Sequence, residues 1–239
     1  MKTKSIWGYP PRSYTDLLDR LSHAFGSRWI ACVVGASDGK FVLPLTRRGI
    51  HVTCYDVDKT ALFGGIKTVP TTRFTEPQQD YEPSPVARAW PSVPSQQVQI
   101  QGLVGRLELE GLSQWAEIRC TDYFRDSRED QFHLVFTSCS LQYKWNRDLD
   151  PMDMISRLMR SVCTGGFLAM DYMMPLEERH TWKPPQYLRQ GVIETMFDRK
   201  DWQVLFLHEP EYPVFEAAHV DRPNDHFHRI GQITVQRIQ

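Results

Sequence analysis

A run of apolar residues, Trp29 to Val34 (WIACVV), breaks into Gly35-Ala36-Ser37-Asp38-Gly39, and Asp56 ends the next apolar run 21 residues after Gly35. Glycines at such a bend let the main chain pass close to a ligand, and the start of the following helix offers unpaired N–H groups. A carboxylate at the end of the neighbouring strand can accept both hydroxyls of a ribose. The pattern reads as a nucleotide site; the plainer alternative is a tight turn with a capping aspartate. A dinucleotide fingerprint, G-x-G-x-x-G, would need glycine at position 37 and again one residue beyond Gly39. Ser37 and the early Gly39 therefore argue against a nicotinamide-dependent oxidoreductase.

Groups able to take a proton cluster near expected loop ends: Asp171, Tyr172, His180, His219 and His228. The stretch Glu216 to His228 (EAAHVDRPNDHFH) carries three histidines, and His219, Asp221, His226 and His228 could ligate a metal. Their spacing matches no closed zinc pattern, so a polar, substrate-facing or solvated loop is the preferred reading and no metal is expected. The five cysteines, Cys32, Cys54, Cys120, Cys139 and Cys163, form no C-x-x-C pair and mostly lie in or beside apolar runs. They read as free thiols in a reducing compartment.

The elements that must position these groups alternate between strand and helix, the pattern of a parallel sheet covered by helices. Expected strands are Trp29–Val34, His51–Tyr55, Glu117–Cys120, Phe132–Thr137, Phe167–Tyr172, Trp202–His208 and Ile230–Ile238. Expected helices are Lys40–Arg48, shortened by Pro44 and closed by Gly49, then Gln96–Leu112, Pro151–Val162 and a short one over Gly191–Phe197. The last two strands are joined by a polar loop, which implies an antiparallel pair. Six prolines fall between Pro70 and Pro94, and Pro175, Pro184 and Pro185 interrupt Met173 to Arg189; both stretches read as surface excursions.

The 239 residues suit one α/β domain with insertions, and 41% hydrophobic residues suffice for a full core. Lys and Arg number 28 against 29 Asp and Glu, with no basic block, which disfavours a nucleic-acid partner. No apolar run approaches membrane-spanning length and no signal peptide is evident, so a soluble, cytoplasmic protein is expected. Oligomeric state is left open.

The bend resembles the first motif, G-x-G-x-G, of the class I (Rossmann-like) S-adenosylmethionine-dependent methyltransferases. The resemblance runs from about Trp29 to Ile238. Thr121-Asp122-Tyr123 falls where that family places an acidic residue near the adenine amino group, Phe132–Tyr143 (FHLVFTSCSLQY) is similar to its fourth strand and reaction-centre segment, and the closing strand pair matches its last two strands. The resemblance implies a seven-stranded, mostly parallel sheet with a C-terminal antiparallel pair and helices on both faces. It implies S-adenosylmethionine as cofactor, held by Tyr14, Gly35, Ala36, Ser37, Gly39, Asp56, Val57, Asp122, Tyr123 and Ser138.

Catalysis would involve Tyr143, Asp171, Tyr172 and His219, with Tyr14, Tyr143, Trp145 and Tyr172 as aromatic neighbours of a sulfonium. Residues 1–28 would form an N-terminal lid, and 64–95 and 173–190 substrate-covering insertions. Three positions depart from the family pattern: Val33 where an acid usually precedes the first glycine, Ser37 for the middle glycine, and His133 where aspartate is common. The function implied is methyl transfer to a small, biosynthetic acceptor. The alternative is use of the aminocarboxypropyl arm, by transfer or by cyclisation to azetidine-2-carboxylate, with release of methylthioadenosine. A degenerate cofactor-binding or scaffold protein is the non-enzymatic alternative. Ser138-Cys139-Ser140-Leu141 stands in place of the Asn-Pro-Pro-Tyr motif of base amino-methyltransferases, which further disfavours a nucleic-acid substrate.

Overall fold

The computed structural model describes residues 5–25, 29–70, 94–126, 131–143, 146, 148–176, 187–216 and 226–239. The strands are β1 (Ile30–Val34), β2 (His51–Tyr55), β3 (Gly65–Pro70), β4 (Ser95–Ile100), β5 (Ala116–Arg119), β6 (Phe132–Ser138), β7 (Val162–Met174), β8 (Trp202–His208), β9 (Val214–Glu216) and β10 (His226–Arg237). The helices are α1 (Arg12–Phe25), α2 (Val42–Thr46), α3 (Lys59–Phe63), α4 (Gly102–Leu109) and α5 (Pro151–Arg160). The main sheet runs β5-β2-β1-β6-β7-β10-β8, with β9 pairing β10 beyond its end. The five strands β5, β2, β1, β6 and β7 are mutually parallel, and β10 is antiparallel to both β7 and β8. All seven expected sheet strands are present, and the closing pair is antiparallel, as expected from its polar connection, which carries the short strand β9.

Alternation along the strands divides the core into two layers. Ala31, Val33, Leu134, Phe136 and Ala169 face α1, α2 and α4, where Leu18, Leu43, Leu45 and Leu103 are buried. Cys32, Val34, Val135, Leu168 and Met170 face α5 and the segment 188–202, with Ile155 and Leu158 buried between. Burying each such aliphatic side chain contributes about 1.5–3 kcal/mol. Asp150 caps α5 by accepting from the Met152 and Asp153 amides at 2.7 and 3.3 Å, and Pro151 sits at the first helical position, where its missing N–H has no partner to lose.

The structure corrects several expectations. Gln96–Leu112 is not one helix: Ser95–Ile100 is a strand, and only Gly102–Leu109 is helical. The strand forms because residues 65–70 pair with it in antiparallel register, giving its backbone partners that no helical stripe supplies. The excursion expected from Pro70 to Pro94 thus begins and ends in a two-stranded ribbon, and residues 71–93 lie outside the described ones. Lys40–Arg48 shortens to five residues, with Pro44 tolerated in the first turn. The fifth expected strand lengthens to thirteen residues, starting at Val162, which pairs with Phe132 of β6, and running out to Met174, which pairs with Arg229 of β10. Gly191–Phe197 reduces to a 3₁₀ turn at Ile193–Met196. Residues Arg12–Phe25, inside the expected lid, form a helix whose Tyr14, Leu18 and Leu21 are buried at i, i+4 and i+7.

The ribbon is rooted where two backbones touch. A Cβ on Gly102, at φ +69°, would lie 2.2 Å from the Gly64 nitrogen and 2.8 Å from the Leu62 carbonyl oxygen. Gly111, at φ +66°, has nothing within 4 Å of such a Cβ. Gly102→Ala should therefore cost several kcal/mol, more than ~3, whereas Gly111→Ala should cost only the ~1 kcal/mol of left-handed backbone. Urea unfolding of the two variants measures the difference; equal losses would refute the close approach.

Candidate nucleotide-binding cleft

The parallel register sets the ends of β2, β1 and β6 side by side: Val34 pairs with Tyr55 on one side and Thr137 on the other. β1 then leaves the sheet at Gly35, whose backbone lies at φ +77°. Residues 31–34 and Ala36 are buried, yet Gly35 is exposed, so the main chain surfaces at this single point between two buried stretches. A Cβ there would meet only Ser140 Cβ, at 3.5 Å. The bend is closed from the β2 side by Asp56, whose carboxylate accepts the Ser37 amide at 2.7 Å and the Asp58 amide at 2.8 Å. Burial pushes the Asp56 carboxyl above its ordinary range, and these two amides act in the opposite sense. Ser37 itself adopts φ +47°, uncommon for a residue with a side chain.

Gly39 does different work from Gly35. A Cβ on it would lie 2.7 Å from Leu103 Cδ1, so this glycine admits α4 rather than a ligand. Asp38, between Ser37 and Gly39, is buried and faces Arg106 of α4 at 3.3 Å. Its carboxylate also accepts Ser5 Oγ at 2.5 Å and the Ile6 amide at 2.8 Å. Trp7 Nε1 donates to Ser37 Oγ at 2.8 Å. The Ser5–Gly8 turn is thereby fastened onto the bend, with the Trp7 indole against Ser37.

On the β6 side, Thr137 Oγ1 donates to the Val34 carbonyl at 3.0 Å and contacts Ser140 Oγ. Cys139 takes φ +52°, and its amide donates to the Asp171 carbonyl at 2.9 Å. Asn146 Nδ2 holds the Ser140 carbonyl at 2.9 Å. Asp171, in β7 level with the end of β6, accepts Ser138 Oγ at 2.9 Å and Gln232 Nε2 at 3.0 Å. Burial raises its pKa, opposed by these two donors and by the field of Lys40.

Of the residues expected at the site, the structure brings Gly35, Ala36, Ser37, Asp56, Ser138 and Asp171 to one edge of the sheet. Val57 follows Asp56 and is exposed. Asp122 caps its own turn, accepting the Phe124 amide at 2.9 Å and pairing with Arg125. Three tyrosines are directed elsewhere. Tyr14 packs on Phe41 and Phe136 and donates to the Phe41 carbonyl at 2.7 Å. Tyr123 packs edge-on against Tyr55 and donates to Ser161 Oγ at 2.5 Å. Tyr172 is fully buried and donates to Glu209 at 2.6 Å, pinning the Gly191 turn. Burial pushes all three hydroxyls well above the ordinary tyrosine range. Tyr143 is partly exposed on the loop after β6.

Trp145, His180, His219 and Asp221 lie outside the described residues, as does the side chain of His226. Among the described residues no group of three or more His, Cys, Asp or Glu side chains could hold a metal, and no helix is long and apolar enough to cross a membrane. Asp38, Arg106 and Gln232 were not singled out from the sequence. Asp38 sat inside the bend as a visible signal, whereas Arg106 and Gln232 reach the cleft only through pairings 68 and 61 residues apart.

No family model and no curated protein matches the sequence. Solved structures do match. TehB from Haemophilus influenzae aligns over 93% of this chain with TM-score 0.59 and 12% identity; the chain spans 61% of TehB's length. The N-methyltransferase NodS from Bradyrhizobium japonicum aligns over 95% of this chain and 96% of its own, with TM-score 0.55 and 13% identity. Magnesium protoporphyrin IX methyltransferase (ChlM) from Synechocystis PCC 6803, solved with bound SAM, aligns over 94% and 78%, with TM-score 0.52 and 10% identity. At such identities the likeness is one of architecture. From the sheet order, the bend after its central strand and these alignments, the chain has the class I, Rossmann-like methyltransferase fold.

Proposed function

We propose that this chain binds S-adenosylmethionine across the Gly35 bend and transfers its methyl group to a small-molecule acceptor. The observation that carries the reading is that the main chain surfaces at Gly35 between buried residues 31–34 and Ala36, flanked by the Asp56 carboxylate on one side and Ser140 on the other. The cradle fits a nucleoside. Gly35 is exposed and has no side chain of its own, so a ligand can approach its backbone beside Ser140, and Asp56, already anchored by two amides, keeps lone pairs for ribose hydroxyls.

When bound, the sulfonium supplies an already activated carbon, so the chain has to orient, desolvate and balance charge rather than supply a nucleophile. Trp7 over Ser37 and the 138–143 loop stand where they exclude water from opposite sides. Asp171 is the carboxylate at this edge that can take up positive charge, whether a proton or a cation. Support for a small acceptor comes from charge: Lys and Arg number 28 against 29 Asp and Glu with no basic block, so the chain offers no concentrated basic surface for a phosphate backbone. The chemistry of the other arm, releasing methylthioadenosine, is favoured by one feature, the Ser37 side chain and the Trp7 indole at the place of the family's middle glycine.

Calorimetry should show S-adenosylhomocysteine binding well below about a millimolar, and no binding of NAD in the same range. Asp56→Ala should weaken the nucleoside by roughly 30-fold or more, through loss of charge-assisted bonds and a loosened bend. Absence of S-adenosylhomocysteine binding at about millimolar concentration would defeat the proposal. Product analysis after incubation with S-adenosylmethionine and candidate acceptors separates the two chemistries: S-adenosylhomocysteine is expected, and methylthioadenosine would replace methyl transfer by the other arm.

A further inference from the structure

The carboxylates around the cleft are not equally satisfied. Asp38 pairs with Arg106, Asp58 with Lys67 and Asp122 with Arg125. Asp56 is fixed by two main-chain amides. Asp171 accepts hydrogen bonds from the hydroxyl of Ser138 and the carboxamide of Gln232, both neutral, and forms no ion pair among the described residues, where Lys40 acts on it through its field alone. A largely desolvated carboxylate whose hydrogen-bond donors are neutral is costly, and a cation bound directly against it lowers that cost.

Position says which cation. Register places Val33, Phe136 and Ala169 in one transverse row, and Ser138, Asp171 and Gln232 in the next row on the same face. On that face β1 presents Val33, fully buried and apolar, so the central strand brings no charge to this end of the cleft. β2, β1, β6 and β7 lie side by side about 4.8 Å apart, which puts Asp171 ~14 Å from Asp56 across the strands. That is the span of a ribose followed by an extended aminocarboxypropyl chain. Ser140 lies against Gly35 and the Cys139 amide is tied to the Asp171 carbonyl, so the 138–140 turn forms a continuous wall between the two carboxylates.

We infer that Asp171 binds the α-ammonium group of the methionine arm, with Ser138 and Gln232 orienting its two oxygens toward it. The inference rests on the cofactor reading above and deepens it: β7 provides the anionic contact that β1, with Val33, does not. Asp171 is then a binding and positioning residue, and it sets the chain's preference for nucleosides that carry an amino acid.

Titration calorimetry with S-adenosylhomocysteine and with methylthioadenosine, which lacks the aminocarboxypropyl arm, tests this directly. Asp171→Asn should weaken S-adenosylhomocysteine roughly 10- to 100-fold and methylthioadenosine by less than about twofold. Unchanged S-adenosylhomocysteine affinity, or equal weakening of both nucleosides, overturns the assignment. A second measurement does not need the variant to fold: the unaltered chain should bind deaminated S-adenosylhomocysteine with the same order of loss, and equal affinity for the two overturns the inference. If the unaltered chain binds neither nucleoside, the cofactor reading itself has failed, an outcome distinct from loss of discrimination between them.

Discussion

A strand that ends in the middle of a parallel sheet must send its chain out between two neighbours, and the amides it exposes there need acceptors. In this protein the Ser37 amide finds the Asp56 carboxylate at the end of the adjacent strand. That bond fixes the direction in which the chain leaves β1, and most of the cleft follows from it. Gly35 is held at the surface, Asp56 is fixed beside it, and Asp38 points onward to Arg106 of α4. The same carboxylate then has lone pairs left over, so one side chain both builds the bend and faces the ligand space.

The bend is secured from below and above by a second carboxylate. Asp38 is buried with Arg106, and burial pulls the guanidinium pKa down while the aspartate opposes that pull. Such a pair contributes little net stability by itself, yet removing either partner leaves an unbalanced buried charge. Its additional bonds to Ser5 and Ile6 give it a different use: they fasten the N-terminal turn, and with it Trp7, onto the ligand-facing loop. The ribbon β3–β4 and α4 are connected to the cleft through the same Arg106.

Aromatic residues near the sheet edge turn out to be mostly structural. Tyr14, Tyr123 and Tyr172 each bury a ring and give the hydroxyl a partner within the core, as buried phenols generally do. The polar chemistry of the cleft therefore rests on short side chains, Ser37, Asp56, Ser138 and Asp171, whose positions are set by strand register rather than by rotamer choice.

Local signals sufficed for much of this in the sequence alone. Apolar runs bounded by glycine, proline and aspartate located seven of the eight strands of the main sheet, missing β9, and the glycine bend with Asp56 marked the candidate site, because those signals act over a few residues. The 95–100 strand was misread as helix because its state depends on a partner across a proline-rich stretch, and a pairing of that kind leaves no periodic trace in either segment. Tertiary structure alone decided that Gly39 makes room for Leu103, that Tyr172 serves Glu209, and that Gln232, from the last strand, completes the surroundings of Asp171. Each of these is a contact between residues far apart in the chain. Its energy comes from burial and register, which exist only once the sheet has assembled.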